Sequence, residues 1–483
     1  MPQESPKLLK SKLFWVGLLY FAEGFPLGVF YDVFPVQFRQ MGVDLRDIGL
    51  VGLIGLAWTL KFLWAPAVDH YRRHRLWMAA ADLAMGAVLV ILALQGGVDS
   101  WVWIAIGVFA LLSATNDVAI DGYTIELLDE KELGLANGLR IGFYRVGMLA
   151  SGVMLVLSDH IGWLATYMAA ALMLGLLALA CLQAPRERPV TARAGLTLGR
   201  ELRTLATHPL ALSAVVLFLM GALWLVDRTA RWSEQFPLWT YAVVAGVAVV
   251  GGSTLFRSRE NAAFETLSHG PMFGALMELL RRRYMLPVIA FILLFKLGDA
   301  AMGLMVKPFW VDAGFSASAI GLVSVNLGLV LSIAGGVVGG AITDRIGIFH
   351  ALWFLGLFQA LSNLIYAYAA FAIPLATGAA ELPSAHVALM YGASGFESFT
   401  GGLGTAAFLA FLMAIVNKEH SATEYALLSS VFALSRSLAG WASGYGAEGL
   451  GYAGYFLLTF LLCFPAYLLL PWVRKSLALN RPS

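Results

Sequence analysis

The chain has 483 residues, of which 59% are hydrophobic and only 13% charged, with a mean hydropathy of +0.77. Soluble domains carry about 25% charged residues, so these values exclude an ordinary soluble protein. The formal net charge of +2 gives no reason to expect a nucleic-acid partner, and both cysteines lie in apolar stretches, which excludes a disulfide framework or a cysteine metal cluster. We therefore expect an all-α, polytopic membrane protein with no cofactor and no metal.

Fourteen apolar stretches are long enough to cross about 30 Å of hydrocarbon. They fall into groups of six, two and six. This predicts an N-terminal six-helix half (1–183), a central insert with two extra spans and an arginine-flanked amphipathic segment (184–286), and a C-terminal six-helix half (287–483). The predicted starts are Leu13, Asp47, Leu76, Trp101, Leu139, Gly162, Pro209, Leu238, Pro287, Ser318, Ala351, His386, Tyr425 and Tyr452.

The N-terminal segment is polar and basic, and no small-residue cleavage site follows the first apolar run, so that run is expected to be a retained helix. Basic residues then predict the orientation. If the N-terminus is cytoplasmic, 22 lysines and arginines lie on the inner side and only Arg39, Arg46, Arg228 and Arg231 on the outer side. This asymmetry predicts a multi-pass protein of the inner (cytoplasmic) membrane with both termini in the cytoplasm.

An internal repeat supports two related halves. Residues 42–51 (GVDLRDIGLV) recur as residues 314–323 (GFSASAIGLV), and each copy leads from the first outer loop of a half into its second helix. That helix is followed in the first half by Asp69 and in the second by Asp344 and Arg345, within the motif Gly-x-x-x-Asp-Arg-x-Gly (340–347). Paired halves of this kind are typical of alternating-access transporters.

Five charged residues fall near the middle of predicted spans: Glu23, Lys296, Asp299, Glu397 and Arg436. A charge facing lipid at that depth costs about 2.5–3.5 kcal/mol, so these residues are expected to line a polar cavity or to pair within the protein. The carboxylates are candidates for binding a transported proton, and Lys296 and Arg436 are candidates for binding an anionic substrate. Structural ion pairs that hold helices together are the alternative.

A second set of charges lies near the cytoplasmic helix ends. Asp117 and Asp121 are four residues apart and share a helix face, while Arg140 and Arg145 open the next helix at the same depth. We expect salt bridges between these helices, either structural or as an inner gate. Lys61, in the inner half of the second helix, and Lys307, near an outer helix end, are further candidates for contacting an anion, or they extend toward the membrane surface.

Several classes of function receive no support. All eight histidines fall in loops or at helix ends, which disfavours haem ligation and an imidazole proton relay, and no nucleophile constellation indicates an enzyme. The phosphate-binding pattern Gly-x-x-x-x-Gly-Lys-Ser/Thr is absent from the sequence, so ATP-driven pumping has no basis.

A set of motifs extends over about 350 residues in both halves. They are Lys61–Pro66 with Asp69, Asp117–Asp121, Tyr144–Leu149 with Ser151 and Gly152, Lys296–Ala300, Phe396–Glu397, Gly401–Gly402, Gly404–Thr405, Asn417–Lys418, Ser421–Thr423 and Arg436. In these motifs the chain resembles the AmpG-type muropeptide permeases, a branch of the major facilitator superfamily that also includes acetyl-coenzyme A transporters. Glu23, Lys307 and the central insert depart from the expected family pattern, and these charges could mark a different substrate.

The resemblance implies a major facilitator fold and proton-driven import of anhydro-muropeptides from cell-wall turnover. We predict a monomer in the bilayer with an anionic small-molecule substrate. Transport of acetyl-coenzyme A or another anionic metabolite is the nearest alternative, against which the mid-depth charges, three acidic and two basic, argue mildly. A membrane sensor without transport activity is the second alternative, although polar stretches long enough for an effector domain are lacking.

Overall fold

The computed structural model describes residues 11–61, 64, 68, 73–127, 133–185, 282, 284–376, 382–415 and 421–479. Every regular element in these ranges is helical. One compact unit, Met1–Pro189 with Pro287–Ile415 and Leu428–Ser483, contains both six-helix halves. Most of the second unit, Val190–Leu286 with Val416–Leu427, including both predicted inserted spans and the amphipathic segment, lies outside the described residues.

The first half consists of six helices. Helix α1 spans Lys12–Gln40 and includes a π-helical stretch at Val29–Val33. Helix α2 covers residues 45–60 as Leu45–Ile54 and Leu56–Leu60, α3 is His74–Gln95 and α4 is Ser100–Leu127. The helical segment Leu133–Gln183 is divided at Gly162 into α5 and α6.

The second half repeats this arrangement. Helix α7 spans Met285–Asp312, α8 Ala317–Ile346, α9 Ile348–Ala372 and α10 Ser384–Ile415. The segment Ser421–Leu462 is divided at Gly451 into α11 and α12, and α12 continues through Pro465–Leu469 and Leu470–Leu479. Each of the twelve helices begins within about six residues of its predicted start, so the polytopic all-α prediction is confirmed.

Glycines at matching positions form corresponding turns in the two halves. Gly42 links α1 to α2 with φ 80°, and Gly314 links α7 to α8 with φ 87°. A positive φ is costly for residues with a Cβ, which explains why this position of the repeat is glycine in both copies. The breaks at Gly162 (φ 79°, ψ 163°) and Gly451 (φ 68°, ψ 164°) likewise separate the fifth and sixth helix of each half.

The outer surface of the bundle is apolar. Large side chains such as Leu172, Val337 and Phe371 are 66%, 70% and 81% exposed. Exposure of this extent on several helices suits contact with lipid rather than water. By length and hydropathy, nine helical stretches in the described ranges can cross a membrane, and two of them, Gly142–Gln183 and Leu428–Ala478, each contain two of the helices named above.

The two halves are joined at one end of the bundle. We call the end where α1 begins the near end, and the end where α1 is followed by α2 the far end. At the far end Arg39 of α1 forms an ion pair with Asp312 of α7, which also accepts a 2.7 Å hydrogen bond from Tyr452. Arg46 pairs with Glu448 at 2.7 Å. These contacts hold α1 and α2 of the first half against α7, α11 and α12 of the second.

Close backbone packing adds to these polar contacts. A Cβ on Gly52 of α2 would lie 2.7 Å from the carbonyl carbon of Gly440 in α11, and a Cβ on Gly152 of α5 would lie 2.8 Å from the carbonyl oxygen of Gly321 in α8. Both distances are shorter than van der Waals contact. Small residues therefore allow the helices of the two halves to approach at these crossings.

Gly52→Val should separate α2 from α11. Overpacking of a close contact costs about 1–3 kcal/mol, so we expect the free energy of unfolding in micelles to fall by that amount. The matched control is Gly175→Val in α6, where an added Cβ meets nothing within 4 Å. This control should change the free energy of unfolding by less than about 0.5 kcal/mol. Equal effects of the two substitutions would contradict the packing argument.

Candidate functional site

A cavity of about 440 Å³ lies between the two halves. Helices α1, α2 and α5 of the first half and α7, α8, α10 and α11 of the second contribute to its wall. Seven charged side chains line it: Asp32, Arg145, Lys296, Asp299, Lys307, Glu397 and Arg436. The structure thus brings together four of the five mid-depth charges of the sequence, and adds Asp32, Arg145 and Lys307.

A break in helix α7 positions the first ion pair of the cavity. The α-helical hydrogen bonding of α7 is interrupted at Lys296, which has φ −102° and ψ 8° between Met285–Phe295 and Leu297–Asp312. The Lys296 ammonium lies 3.2 Å from the Asp299 carboxylate one turn later, and the lysine is only 3% exposed. Interrupted helices occur at the binding sites of many transporters, because freed backbone and polar groups can then face a cavity.

A second ion pair joins the two halves across the cavity. The Lys307 ammonium of α7 lies 2.9 Å from the Asp32 carboxylate of α1, and the Ser151 hydroxyl of α5 donates a 2.9 Å hydrogen bond to the same carboxylate. The side chains of Lys307 and Asp32 are only 16% and 10% exposed. The sequence predicts that Lys307 meets an anion or the membrane surface; in the structure its partner is Asp32, which is not among the residues predicted for the site.

Glu397 lies between these two pairs on α10. Its carboxylate accepts a 3.2 Å hydrogen bond from the Ser398 hydroxyl, and its charged neighbours are Asp299, Lys307 and Lys296. Glu397 is therefore placed where a change in its charge would act on both lysines of the cavity.

Two arginines face the cavity from opposite halves. The Arg436 guanidinium of α11 lies over the Tyr31 ring of α1, 4.5 Å from its centroid. Arg145 of α5 was expected to pair with an aspartate of α4, but it lines the cavity, and none of the described carboxylates lies within ion-pair distance of it. Arg140 and Arg145 are five residues apart and so point about 140° away from each other around α5.

A separate charged cluster lies in the first half toward the near end. Lys61 lies 3.4 Å from the Asp117 carboxylate, and Arg140 lies 3.0 Å from the Asp121 carboxylate. Tyr20 donates a 2.8 Å hydrogen bond to Asp121, and the Arg140 guanidinium lies over the Tyr20 ring. The predicted salt bridge between an aspartate of α4 and an arginine of α5 is thus present for Asp121 and Arg140. Lys61 belongs to this cluster and is not among the residues that line the cavity.

Glu23 belongs to this near-end cluster as well. It is 7% exposed, its charged neighbours are Asp117, Asp121, Lys61 and Arg140, and one carboxylate oxygen has no hydrogen-bond partner among the described residues. Of the two expectations for Glu23, lining the cavity or pairing within the protein, the structure shows it among charged neighbours and not in the cavity lining. Residues nine apart on a helix lie on nearly opposite faces, and Asp32 occupies the cavity face. Hereafter the near-end cluster means Glu23, Lys61, Asp117, Asp121 and Arg140.

The remaining sequence candidates lie elsewhere. Asp344 and Arg345 are exposed at the end of α8, and Asp69 lies outside the described residues. The described residues contain no group of three or more histidine, cysteine, aspartate or glutamate side chains arranged to hold a metal ion.

The charge balance of the cavity differs from the one expected. Four basic residues and three acidic residues line it, whereas the mid-depth charges of the sequence are three acids and two bases. Moving Glu23 out of the cavity and adding Asp32, Arg145 and Lys307 gives an excess of one positive charge.

Comparisons with known proteins agree with this architecture. The Major Facilitator Superfamily model matches residues 16–382. The chain is similar to the anhydromuropeptide permease of Escherichia coli K12, with 29% identity over 475 residues covering 96% of this chain and 80% of that one. It is also similar to the putative transporter AmpG 4 of Rickettsia conorii, with 22% identity over 97% of this chain and 98% of that one.

Solved structures extend the likeness in fold. An auto-inhibited POT family peptide transporter superposes with a TM-score of 0.66 at 14% identity, covering 99% of this chain and 98% of that chain. The nucleoside transporter NupG superposes with a TM-score of 0.61 at 13% identity, covering 96% and 99%. With two six-helix halves around a charged cavity and a family model that matches most of its length, the chain belongs to the major facilitator superfamily.

Proposed function

We propose that the protein is a secondary active transporter that imports anhydro-muropeptides by proton symport. The observation that carries the proposal is the similarity to an anhydromuropeptide permease over 96% of the chain, combined with a charged cavity between the halves. Muropeptides carry peptide carboxylates beside uncharged sugar rings, and a cavity with an excess of basic groups suits such a solute.

The proposed orientation follows from the basic residues. With 22 lysines and arginines on the side of the N-terminus and four on the other, the near end is cytoplasmic and the far end faces the periplasm. The ion pairs of Arg39 with Asp312 and of Arg46 with Glu448 then close the periplasmic side of the cavity. Opening to the periplasm requires these contacts between the halves to separate.

In this proposal the cavity bases bind the substrate. Lys296, Lys307 and Arg436 are paired with Asp299, Asp32 and the Tyr31 ring, so each is held in position before a substrate enters. A substrate carboxylate that approaches Lys296 or Lys307 competes with the carboxylate already present. Protonation of Asp299 or Glu397 would remove that competition, which links proton binding to substrate binding.

The near-end cluster is the second proposed place for the transported proton, and the one that we favour. It contains three carboxylates and two basic groups, so it carries one excess negative charge when all of them are ionised. One bound proton makes the cluster neutral, which is favourable in a poorly solvated site. Glu23 is the proposed acceptor, since it forms no ion pair of its own among the described residues and has an unpartnered carboxylate oxygen.

Uptake of a labelled anhydro-muropeptide into proteoliposomes tests the function. For one proton per substrate, an inward gradient of one pH unit should support about tenfold accumulation, because one unit is worth about 1.36 kcal/mol. A protonophore should abolish the accumulation. The absence of uptake by folded protein would contradict the proposed substrate, and gradient-independent uptake would contradict symport.

Acetyl-coenzyme A or a similar anionic thioester is the second candidate substrate. The positive balance of the cavity, four bases to three acids, favours it more than the sequence alone did. Competition in the same vesicles separates the two candidates. Unlabelled acetyl-coenzyme A should leave muropeptide uptake unchanged if the first proposal holds, and inhibition at equal concentration would favour the second.

A further inference from the structure

Arg145 and Arg436 occupy corresponding positions in the two halves. Each lies on the fifth helix of its half, 17 residues before Gly162 and 15 residues before Gly451 respectively. The helix crossings give a second alignment. Gly49 and Gly321 match in the internal repeat; a Cβ on Gly321 would lie nearest to Gly152 of α5, and a Cβ on Gly49 would lie nearest to Trp441 and then Gly444 of α11.

Counted from these crossings, Arg145 precedes Gly152 by seven residues, and Arg436 precedes Trp441 by five and Gly444 by eight. The two arginines are therefore equivalent to within about two residues under the approximate two-fold relation of the halves. Both line the cavity, one from each half.

Their surroundings distinguish them from the lysines of the cavity. Lys296 and Lys307 each have a carboxylate within 3.2 Å. Within the described residues, neither Arg145 nor Arg436 has such a carboxylate, and both guanidinium groups belong to the lining of the same cavity. Two like charges in a shared cavity are costly unless an anion lies between them.

We propose that Arg145 and Arg436 together bind one carboxylate of the transported solute, with one guanidinium contributed by each half. This inference rests on the proposed function and assigns the recognition of the substrate's anionic group. The planar guanidinium presents paired donors that match the two oxygens of a carboxylate, so one carboxylate can accept from both arginines. The Tyr31 ring under Arg436 fixes that guanidinium with an aromatic face that accepts no competing hydrogen bond.

The arrangement also connects binding to movement of the halves. A carboxylate held by both arginines is attached to α5 and α11 at once, so its binding energy depends on the distance between the halves. Such a ligand favours whichever conformation brings the two guanidinium groups to the right separation. Substrate occupancy thus changes the balance between conformations without any contact at the far end.

The test measures binding to purified protein in lipid nanodiscs with two ligands, an anhydro-muropeptide with free peptide carboxylates and the same molecule with them amidated. Wild-type protein should bind the free-carboxylate form about tenfold to a hundredfold more tightly than the amidated form, because a hydrogen bond to a charged group contributes a free energy that corresponds to this ratio of affinities. Arg145→Gln and Arg436→Gln should each remove this preference while leaving binding of the amidated form within about threefold. The matched control, Arg474→Gln, removes an exposed arginine that lies over Phe349 outside the cavity, and it should keep the preference.

Thermal stability without ligand distinguishes a binding role from a structural one. Removing one of two repelling charges should leave the unfolding temperature unchanged or raise it, whereas the loss of a structural arginine would lower it. A carboxylate preference that survives both substitutions would overturn the inference.

If wild-type protein binds neither muropeptide form, the proposed function fails separately. Citrate then serves as the probe: stabilisation of the wild type but not of the variants supports the anion site, and equal stabilisation of all three overturns it.

Discussion

Lys307→Met should destabilise the folded protein by about 3–5 kcal/mol, the cost of leaving one partner of a buried ion pair without the other. Without Lys307, the Asp32 carboxylate keeps only the hydrogen bond from the Ser151 hydroxyl among the described residues. The Asp32 side chain is 10% exposed, so water compensates little for the lost partner. Because Asp32 and Lys307 belong to different halves, the loss also weakens the closed arrangement of the cavity. Substrate uptake should therefore fall by about a hundredfold or more.

A double-mutant cycle separates the ion pair from the individual side chains. Asp32→Asn with Lys307→Met removes both charges, and the free energy of unfolding should return to within about 1 kcal/mol of the wild type, since replacing both partners of a buried pair is often nearly neutral. Uptake should stay low in the double variant if Lys307 also contacts the substrate. Strictly additive losses in the free energy of unfolding would show that the pair contributes no interaction.

The far-end pair of Arg46 and Glu448 is the matched control for that cycle. It also joins the two halves, at 2.7 Å, but its side chains are 42% and 37% exposed. Exposed pairs contribute about 0–1 kcal/mol because solvent screens the charges. The double-mutant cycle of Arg46→Gln and Glu448→Gln should therefore give a coupling energy below about 1 kcal/mol. A larger coupling energy between Asp32 and Lys307 would then be due to the burial of that pair.

Helix positions and the two-half organisation were predictable from the sequence because hydrophobicity determines which segments cross a membrane. The twelve described helices begin close to the predicted residues, and Gly42 and Gly314, matched in the repeat, adopt the same left-handed backbone. These features depend on local composition and on backbone sterics. They need no knowledge of how the helices pack.

Depth along a helix was predictable, but the face of the helix was not. Glu23 was placed correctly near the middle of α1, yet it points into the first half while Asp32 faces the cavity. Asp32 was not predicted as a site residue because a helix of about 20 residues would place it outside the membrane. Helix α1 has 29 residues, about 44 Å in length, so a residue twenty positions from its start is still inside the bundle. Helix α7 has 28 residues, so Lys307, although it lies late in that helix, is likewise inside the bundle and lines the cavity.

Pairing between distant helices was only partly predictable. Arg140 and Asp121 lie on consecutive helices, where equal depth brings opposite charges together. Arg145 was assigned by the same rule, but it lies about 140° further around α5 and faces the second half. The partners of Lys307 and Arg436, Asp32 and the Tyr31 ring, come from a helix hundreds of residues away. Their proximity follows from the docking of the two halves, which the sequence pattern does not encode locally.

The two charged regions have opposite balances, and this difference suggests a division of tasks. With all groups ionised, the cavity carries one excess positive charge, in line with the proposed anionic solute, and the near-end cluster carries one excess negative charge, in line with the proposed proton site. Residues of α1 contribute to both regions, with Glu23 in the near-end cluster and Asp32 in the cavity. Movement of α1 relative to its neighbours can therefore change both environments together.

Glu23→Gln should uncouple substrate movement from the proton gradient. Glutamine has the shape of a protonated glutamate but cannot release a proton, so the near-end cluster stays electrically neutral throughout the transport cycle. Under an inward gradient of one pH unit, we expect the accumulation ratio to fall from about ten to about one. Exchange of labelled for unlabelled substrate across the membrane, which needs no net proton movement, should continue.

Glu397→Gln and Asp299→Asn provide the matched comparison, since each neutralises one buried carboxylate of the cavity. Both residues are neighbours of Lys296, and Glu397 is also a neighbour of Lys307, so these variants should change the affinity for the substrate. Because Glu23 is still present, the ratio of internal to external substrate should stay above about three under the same gradient. If Glu23→Gln accumulates substrate like the wild type and a cavity variant does not, the proton is carried by the cavity carboxylates. Normal accumulation by all three variants would mean that none of these carboxylates carries the proton.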